Sequence, residues 1–130
     1  HRNLVFTTID SLMAIFNEGE YADKVVARAL KKDKRWGSHD RKFVAETIYE
    51  IVRWKRLYVE IAEVKEPFDR DNIWRIFAVW AVLRGYTLPD WKYFEETPVR
   101  RIKGKFDELT KTRKFKNLFQ IGWMIWELKN

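Results

Sequence analysis

The chain contains no cysteine. That single absence removes disulfides, thiolate nucleophiles and Cys-based zinc or iron–sulfur sites, and it fits a reducing compartment. Proline is scarce at three residues, and the five glycines are each isolated, so neither GxGxxG nor GxxxxGK[ST] can be assembled for phosphate binding. Histidine occurs twice, once at the first position, which leaves little for imidazole chemistry or metal ligation. No stretch approaches the roughly 18 uncharged apolar residues of a membrane span, and no signal-peptide core is present. The expectation is a cytoplasmic protein that holds no metal and enters no membrane. Its acidic pairs Glu63/Glu66, Asp69/Asp71 and Glu95/Glu96 read as solvated loop or helix-end charges.

What is present points to one folded domain. A chain of 130 residues has room for a single core. Hydrophobic residues make up 46%, and seven Trp with nine Phe supply large units of burial, which argues against disorder. Basic residues outnumber acidic ones 26 to 19, for a net charge of +7. A basic excess favours polyanionic partners through long-range attraction and counterion release.

The periodicity is helical almost throughout. Leu4 (or Val5), Ile9, Leu12, Met13 and Phe16 form one stripe over 2–17. A second helix over 20–31 turns Ala22, Val25, Val26, Ala29 and Leu30 inward. Gly37 then breaks the chain, Ser38 is a candidate N-cap, and Asp40 sits in the first turn, where the helix dipole favours it. Ala45, Ile48, Ile51 and Val52 form the apolar face of the third helix, with Val44 at its margin. The pattern runs on through Leu57, Val59, Ile61 and Val64 to Pro67, with a bend expected near 54–57, because one straight helix would outrun so small a domain.

Asp69 or Asp71 starts the next helix, apolar nearly all round from Ile73 to Leu83 and therefore the expected central one. Gly85 closes it, and 85–97 reads as a loop with one short turn. Pro98 at N1, behind a Thr97 cap, opens a helix to Leu109, and a last helix is expected from Lys114. The fold class is all-α, a compact bundle of six or seven helices, with no strand-length alternation and no internal repeat.

Ser38, His39 and Asp40 offer the residue types of a hydrolase triad. Adjacent residues at a helix start point apart, however, and cannot converge on one reaction centre. The cations carry more information. Lys31, Lys32, Lys34, Arg35, Arg41, Lys42, Arg53, Lys55 and Arg56 crowd into 26 residues that hold only Asp33, Asp40, Glu46 and Glu50 as counter-charges.

By i+3/i+4 spacing Lys42, Glu46, Tyr49, Arg53 and Arg56 share one helix face. The KKDKR loop lies just before that helix's N-terminus, whose free N–H groups favour phosphate. Basic side chains interleaved with Tyr and Trp suit RNA, where guanidinium and aromatic groups stack on exposed bases. The competing reading is a wet face on which Glu46 and Glu50 pair with Lys42 and Arg53. A second cluster, Arg100, Arg101, Lys103, Lys105, Lys111, Arg113, Lys114 and Lys116, is equally basic and less ordered in spacing. The tail FQIGWMIWELKN either closes the core or offers a docking surface.

The segment GSHDRKFVAETIYEIVRWKR, at Ser38, Asp40, Arg41, Ala45, Glu46, Tyr49, Arg53 and Arg56, resembles the N-terminal NusB-like domain of the Sun/Fmu ribosomal RNA cytosine-C5 methyltransferases. YADKVVARAL resembles the helix before it, and the likeness spans about residues 4–60. The second half departs from it, with PVRRIKGKFDELTKTRKFKNLF where such domains carry segments like NEAV and FVNAVLR.

The resemblance implies an RNA-binding accessory domain, with ribosomal RNA and its own C-terminal methyltransferase domain as partners. S-adenosylmethionine is the cofactor expected for the parent enzyme, and none is expected in this fragment. C5 methylation of cytosine uses a thiolate on C6, which a chain without cysteine cannot supply. The residues expected to hold RNA are Arg41, Lys42, Arg53, Lys55 and Arg56, with Lys32, Lys34 and Arg35 extending the field. The alternatives are a protein-interaction module or a stand-alone antitermination factor.

Overall fold

A computed structural model describes residues 2–112. Among them the fold is all-α: α1 (Arg2–Glu18), α2 (Ala22–Ala29), α3 (Ser38–Arg53), α4 (Lys55–Ala62), α5 (Arg70–Leu83), a short 3-10 turn (Lys92–Phe94) and α6 (Val99–Thr110). The expected last helix from Lys114, the tail FQIGWMIWELKN, and Arg113, Lys114 and Lys116 of the second basic cluster lie outside the described residues.

Helix α5 is the central element, as its all-round apolar pattern predicts. Nine of its 14 residues are buried, a contiguous cylinder that only a helix wrapped by others can hide. Asp69 caps it: the carboxylate accepts from the Asn72 backbone N–H at 2.8 Å, and the Asn72 side chain accepts from the Asp69 N–H. Around α5 the core takes in Ile9 and Leu12 from α1, Val44, Ile48 and Ile51 from α3, and Leu57 and Tyr58 from α4, all fully buried. Each such aliphatic side chain contributes about 1.5–3 kcal/mol by burial.

Helix α1 packs against α3, and the core takes in small polar residues that hydropathy alone does not select. Thr7, Thr8, Ser11 and Thr47 are buried. Within α1 the hydroxyls are satisfied locally, Thr8 Oγ1 donating to the Leu4 carbonyl at 2.9 Å and Ser11 Oγ to that of Thr7 at 2.7 Å.

Several boundaries differ from the sequence reading, each for a local reason. Gly37, not Ser38, is the N-cap of α3; Ser38 is already helical and no side chain caps this end. Val44, expected at the margin, is wholly buried, while Ala45 and Val52 are half-buried. The buried face runs Val44, Thr47, Ile48, Ile51, and a threonine counted as polar concealed that register. Helix α2 is shorter than expected and yields to a turn after Ala29.

The bend near 54–57 occurs at Trp54, whose backbone (φ −110°, ψ 31°) leaves the helix while its indole is buried. Helix α4 stops at Ala62, well before Pro67, because Glu63 turns left-handed (φ 58°) and Val64 closes back on the Val59 carbonyl. Neither Thr97 nor Pro98 caps α6 by a side chain; Pro98 precedes the first helical residue, Val99.

The segment between α5 and α6 is more than a connection. Gly85 takes φ +85°, which a Cβ would strain, and ends α5. Phe94 of the short turn is buried against Trp74, ring centroids 5.4 Å apart, and against Phe77 at 6.2 Å. Tyr93 stacks on the Trp74 indole at 4.1 Å, and Phe6 of α1 meets that indole edge-on at 5.6 Å.

Candidate nucleic-acid interface

The exposed side of α3 forms one wall of a groove of about 670 Å³ whose other wall is the C-terminal end of α5 and the residue after Gly85. From α3 it receives His39, Lys42, Glu46, Tyr49 and Arg53; from the α5 side come Trp80, Arg84 and Tyr86. The helical period accounts for the first set. Only the packing of α3 beside α5 accounts for the second.

The floor is aromatic. Trp80 meets Phe43 edge-on at 6.0 Å and Tyr86 at 5.4 Å. Trp80 is buried, whereas Tyr86 and Tyr49 are exposed by 53% and 41%, enough to present ring faces to a ligand. Glu50 is folded into this floor: its carboxylate accepts from the Trp80 indole N–H and stands 3.4 Å from the Arg84 guanidinium. That carboxylate therefore holds Arg84 at the groove.

Along the rim, Lys42 lies 4.0 Å from Glu46, both about two-thirds exposed, a solvated pair of little energetic weight. The Arg53 guanidinium lies over the Trp54 ring, 5.2 Å from its centroid. The Tyr49 hydroxyl donates to Asp23 of α2 at 2.6 Å, which fixes the ring. The Asp23 carboxylate, by accepting that proton, raises the phenol's pKa above its ordinary value.

No family model, curated protein or solved structure matches the chain. The groove is therefore read from its own chemistry.

Of the eight cations expected to hold RNA, the structure brings Lys42 and Arg53 together in the groove and disperses the others. The bend at Trp54 separates α4 from α3, so counting i+3 from Arg53 does not carry Arg56 onto the same wall. Arg56 is exposed on α4 but does not line the groove. Lys55 turns away altogether: its ammonium pairs with Glu66 and lies over the rings of Phe16, at 5.0 Å, and Phe68.

Arg41 donates to the Leu30 carbonyl at 2.7 Å and so ties the N-terminal turn of α3 to the end of α2. Lys32 faces Asp10 at 3.9 Å. Arg35 forks onto Asp33, with bonds of 3.0 and 2.7 Å, and these bonds hold the Asp33 carboxyl down to about 2. Lys34 is exposed and has no partner among the described residues.

Arg84, Trp80 and Tyr86 are the site residues that the sequence reading missed. No local pattern marks them, since they lie some 30 residues beyond α3. Several of the acidic residues read as solvated loop or helix-end charges also hold partners. Glu63 accepts from Arg101 at 2.6 Å and from Lys105 at 2.9 Å, which draws two members of the second basic cluster into an α4–α6 clamp. Glu66 holds Lys55, and Asp69 caps α5. Among the described residues no group of three or more His or acidic side chains could hold a metal ion, and no helix is long and apolar enough to cross a membrane.

Proposed function

We propose that this domain binds RNA in the groove between α3 and α5, as the accessory domain of an S-adenosylmethionine-dependent ribosomal RNA cytosine-C5 methyltransferase. One observation supports the RNA reading above the rest: Lys42, Arg53 and Arg84, from two helices, stand around the exposed rings of Tyr49 and Tyr86. Cations beside exposed rings suit RNA, the charges taking phosphates and the ring faces unstacked bases. A merely solvated face would have no reason to gather aromatic rings at its centre.

The contacts hold the backbone rather than read base edges, so affinity falls steeply with salt. The family reading rests on the likeness at Ser38, Asp40, Arg41, Ala45, Glu46, Tyr49, Arg53 and Arg56. In this reading the methyl transfer belongs to a catalytic domain outside the chain, and the groove helps to position its substrate.

The test is an anisotropy titration of a labelled single-stranded ribosomal RNA fragment and its duplex form, against the wild type and the Lys42→Gln/Arg53→Gln variant. The expected result is about tenfold weaker binding by the variant and a shallower salt dependence, by roughly 0.7 for each single-strand phosphate that the variant no longer neutralises. Binding that is equal and salt-insensitive in both proteins would overturn the reading.

A further inference from the structure

The α3 groove holds two carboxylates beside its cations, and they are partnered differently. Glu50 uses both oxygens: one accepts from the Trp80 indole N–H, and the other faces the Arg84 guanidinium. Glu46 is the opposite case. No hydrogen-bond donor among the described residues reaches its carboxylate, and its ion pair with Lys42 stands at 4.0 Å with both side chains about two-thirds exposed. Such a pair contributes little and leaves both carboxylate oxygens open to a ligand.

An open carboxylate is out of place in a groove that takes phosphates. Lys42, Arg53 and Arg84 attract the RNA backbone, which carries no sequence information. Glu46 repels it. The part of an RNA strand that a carboxylate does attract is the donor edge of a base.

The helical period sets Glu46 where such an edge arrives. Tyr49 lies three residues on, lining the same groove from the same face of α3. A helical side chain leans toward the N-terminus, which is the direction of Glu46 from Tyr49. The hydroxyl bond to Asp23 at 2.6 Å fixes the Tyr49 ring, and the residue stays 41% exposed. A base stacked on that ring brings one edge toward Glu46.

The four bases differ at that edge. On its Watson–Crick side guanine carries two adjacent donors, N1–H and the N2 amino group, which match the two oxygens of a carboxylate. Adenine and cytosine set an acceptor nitrogen beside their amino group, and the N3–H of uracil stands between two carbonyl oxygens. We infer that Glu46 selects guanine. With the base stacked on Tyr49, Glu46 accepts from N1–H and N2–H, while Lys42 and Arg53 take the neighbouring phosphates. The inference rests on the RNA reading of this groove and adds a sequence preference that phosphate contacts alone do not confer.

The test titrates labelled nine-nucleotide uridine tracts, whose central base is guanine, hypoxanthine, adenine, cytosine or uracil, against the wild type and Glu46→Gln. The substitution is isosteric and at an exposed position, and a thermal melt checks that the variant folds. The wild type is expected to bind the guanine strand about tenfold more tightly than the adenine, cytosine and uracil strands. The hypoxanthine strand, which lacks the N2 amino group, should fall between them. The variant, with one acceptor oxygen in place of two, should bind all five strands within about twofold of one another. A wild type that binds all five alike, with salt-dependent affinity, would overturn the inference and leave the RNA reading standing. A guanine preference undiminished in the folded variant, or hypoxanthine equal to guanine, would overturn it in the same way. Absent or salt-insensitive binding of every strand would overturn both.

Discussion

The two grooves flanking α5 are nearly equal in size, about 670 and 730 Å³, and differ in how their charged and aromatic side chains are partnered. Both contain acidic and basic side chains. On the α3 side Glu50 is folded under the aromatic floor with Trp80 and Arg84, and the cations Lys42, Arg53 and Arg84 stand at the surface. On the α6 side Arg75 and Arg101 are drawn onto a backbone carbonyl and onto Glu63, and the margin carries Asp71, Glu95 and Glu96 together with Lys92. Which charged groups a groove gathers is thus decided by the packing of the helices, not by the chain's total of +7.

The most severe way to break the comparison is to remove the helix between the grooves. Phe77 is buried between Trp74, Trp80 and Phe94, and Phe77→Ala is expected to cost about 3–5 kcal/mol, read as a lowered denaturation midpoint in urea. The α3 groove should lose its RNA affinity with the fold.

Glu50→Ala acts on one side only. It leaves the Trp80 indole N–H unpaired and removes the ion pair with Arg84, and is expected to cost about 1–3 kcal/mol. RNA affinity should fall; an unchanged RNA titration would show that the Glu50 pair does not matter to the groove.

Glu63→Gln addresses the other side through pH. Hydrogen bonds from Arg101 and then Lys105 hold the Glu63 carboxyl down to about 2, well below the usual carboxylate range. A depressed value means that the clamp's stability is present above the unfolded carboxylate's pKa and is lost as pH falls from about 4.5 toward 2. Melts between pH 7 and 2 should therefore show a loss of stability in the wild type across that window. The Gln variant should start lower at pH 7 and fall less steeply.

The smallest effect is expected from Tyr49→Phe, which removes an exposed bond to Asp23 worth about 0.5–1.5 kcal/mol and leaves the ring face in place. RNA binding that survives this change but not Tyr49→Ala would assign the ring, not the hydroxyl, to the ligand.

How much of this is legible in the sequence differs between helices and site. The all-α class, the central place of α5 and the break at Trp54 follow from apolar spacing and chain length. Asp69 reads correctly as a start signal, one of two candidates, because its side chain acts within its own turn. Ser38 and Pro98 mislead by one position each, since a good capping residue does not cap when its neighbour already closes the turn. Among the eight proposed RNA contacts, Lys42 and Arg53 lie on one straight helix face, and the helical period places them there. Lys55 and Arg56 lie past the bend, where the period no longer applies.

The sequence by itself determined the helices, their apolar faces and the crowding of cations around α3, because each depends on residues within a few turns of one another. Tertiary structure alone decided that Arg84 and Tyr86 join Lys42 and Tyr49, that Lys55 leaves them for Glu66, and that Glu63 gathers Arg101 and Lys105. Those partners are separated by 11 to 44 positions in the chain. Only the packing of helices around α5 brings them within the few ångströms over which hydrogen bonds and ion pairs act.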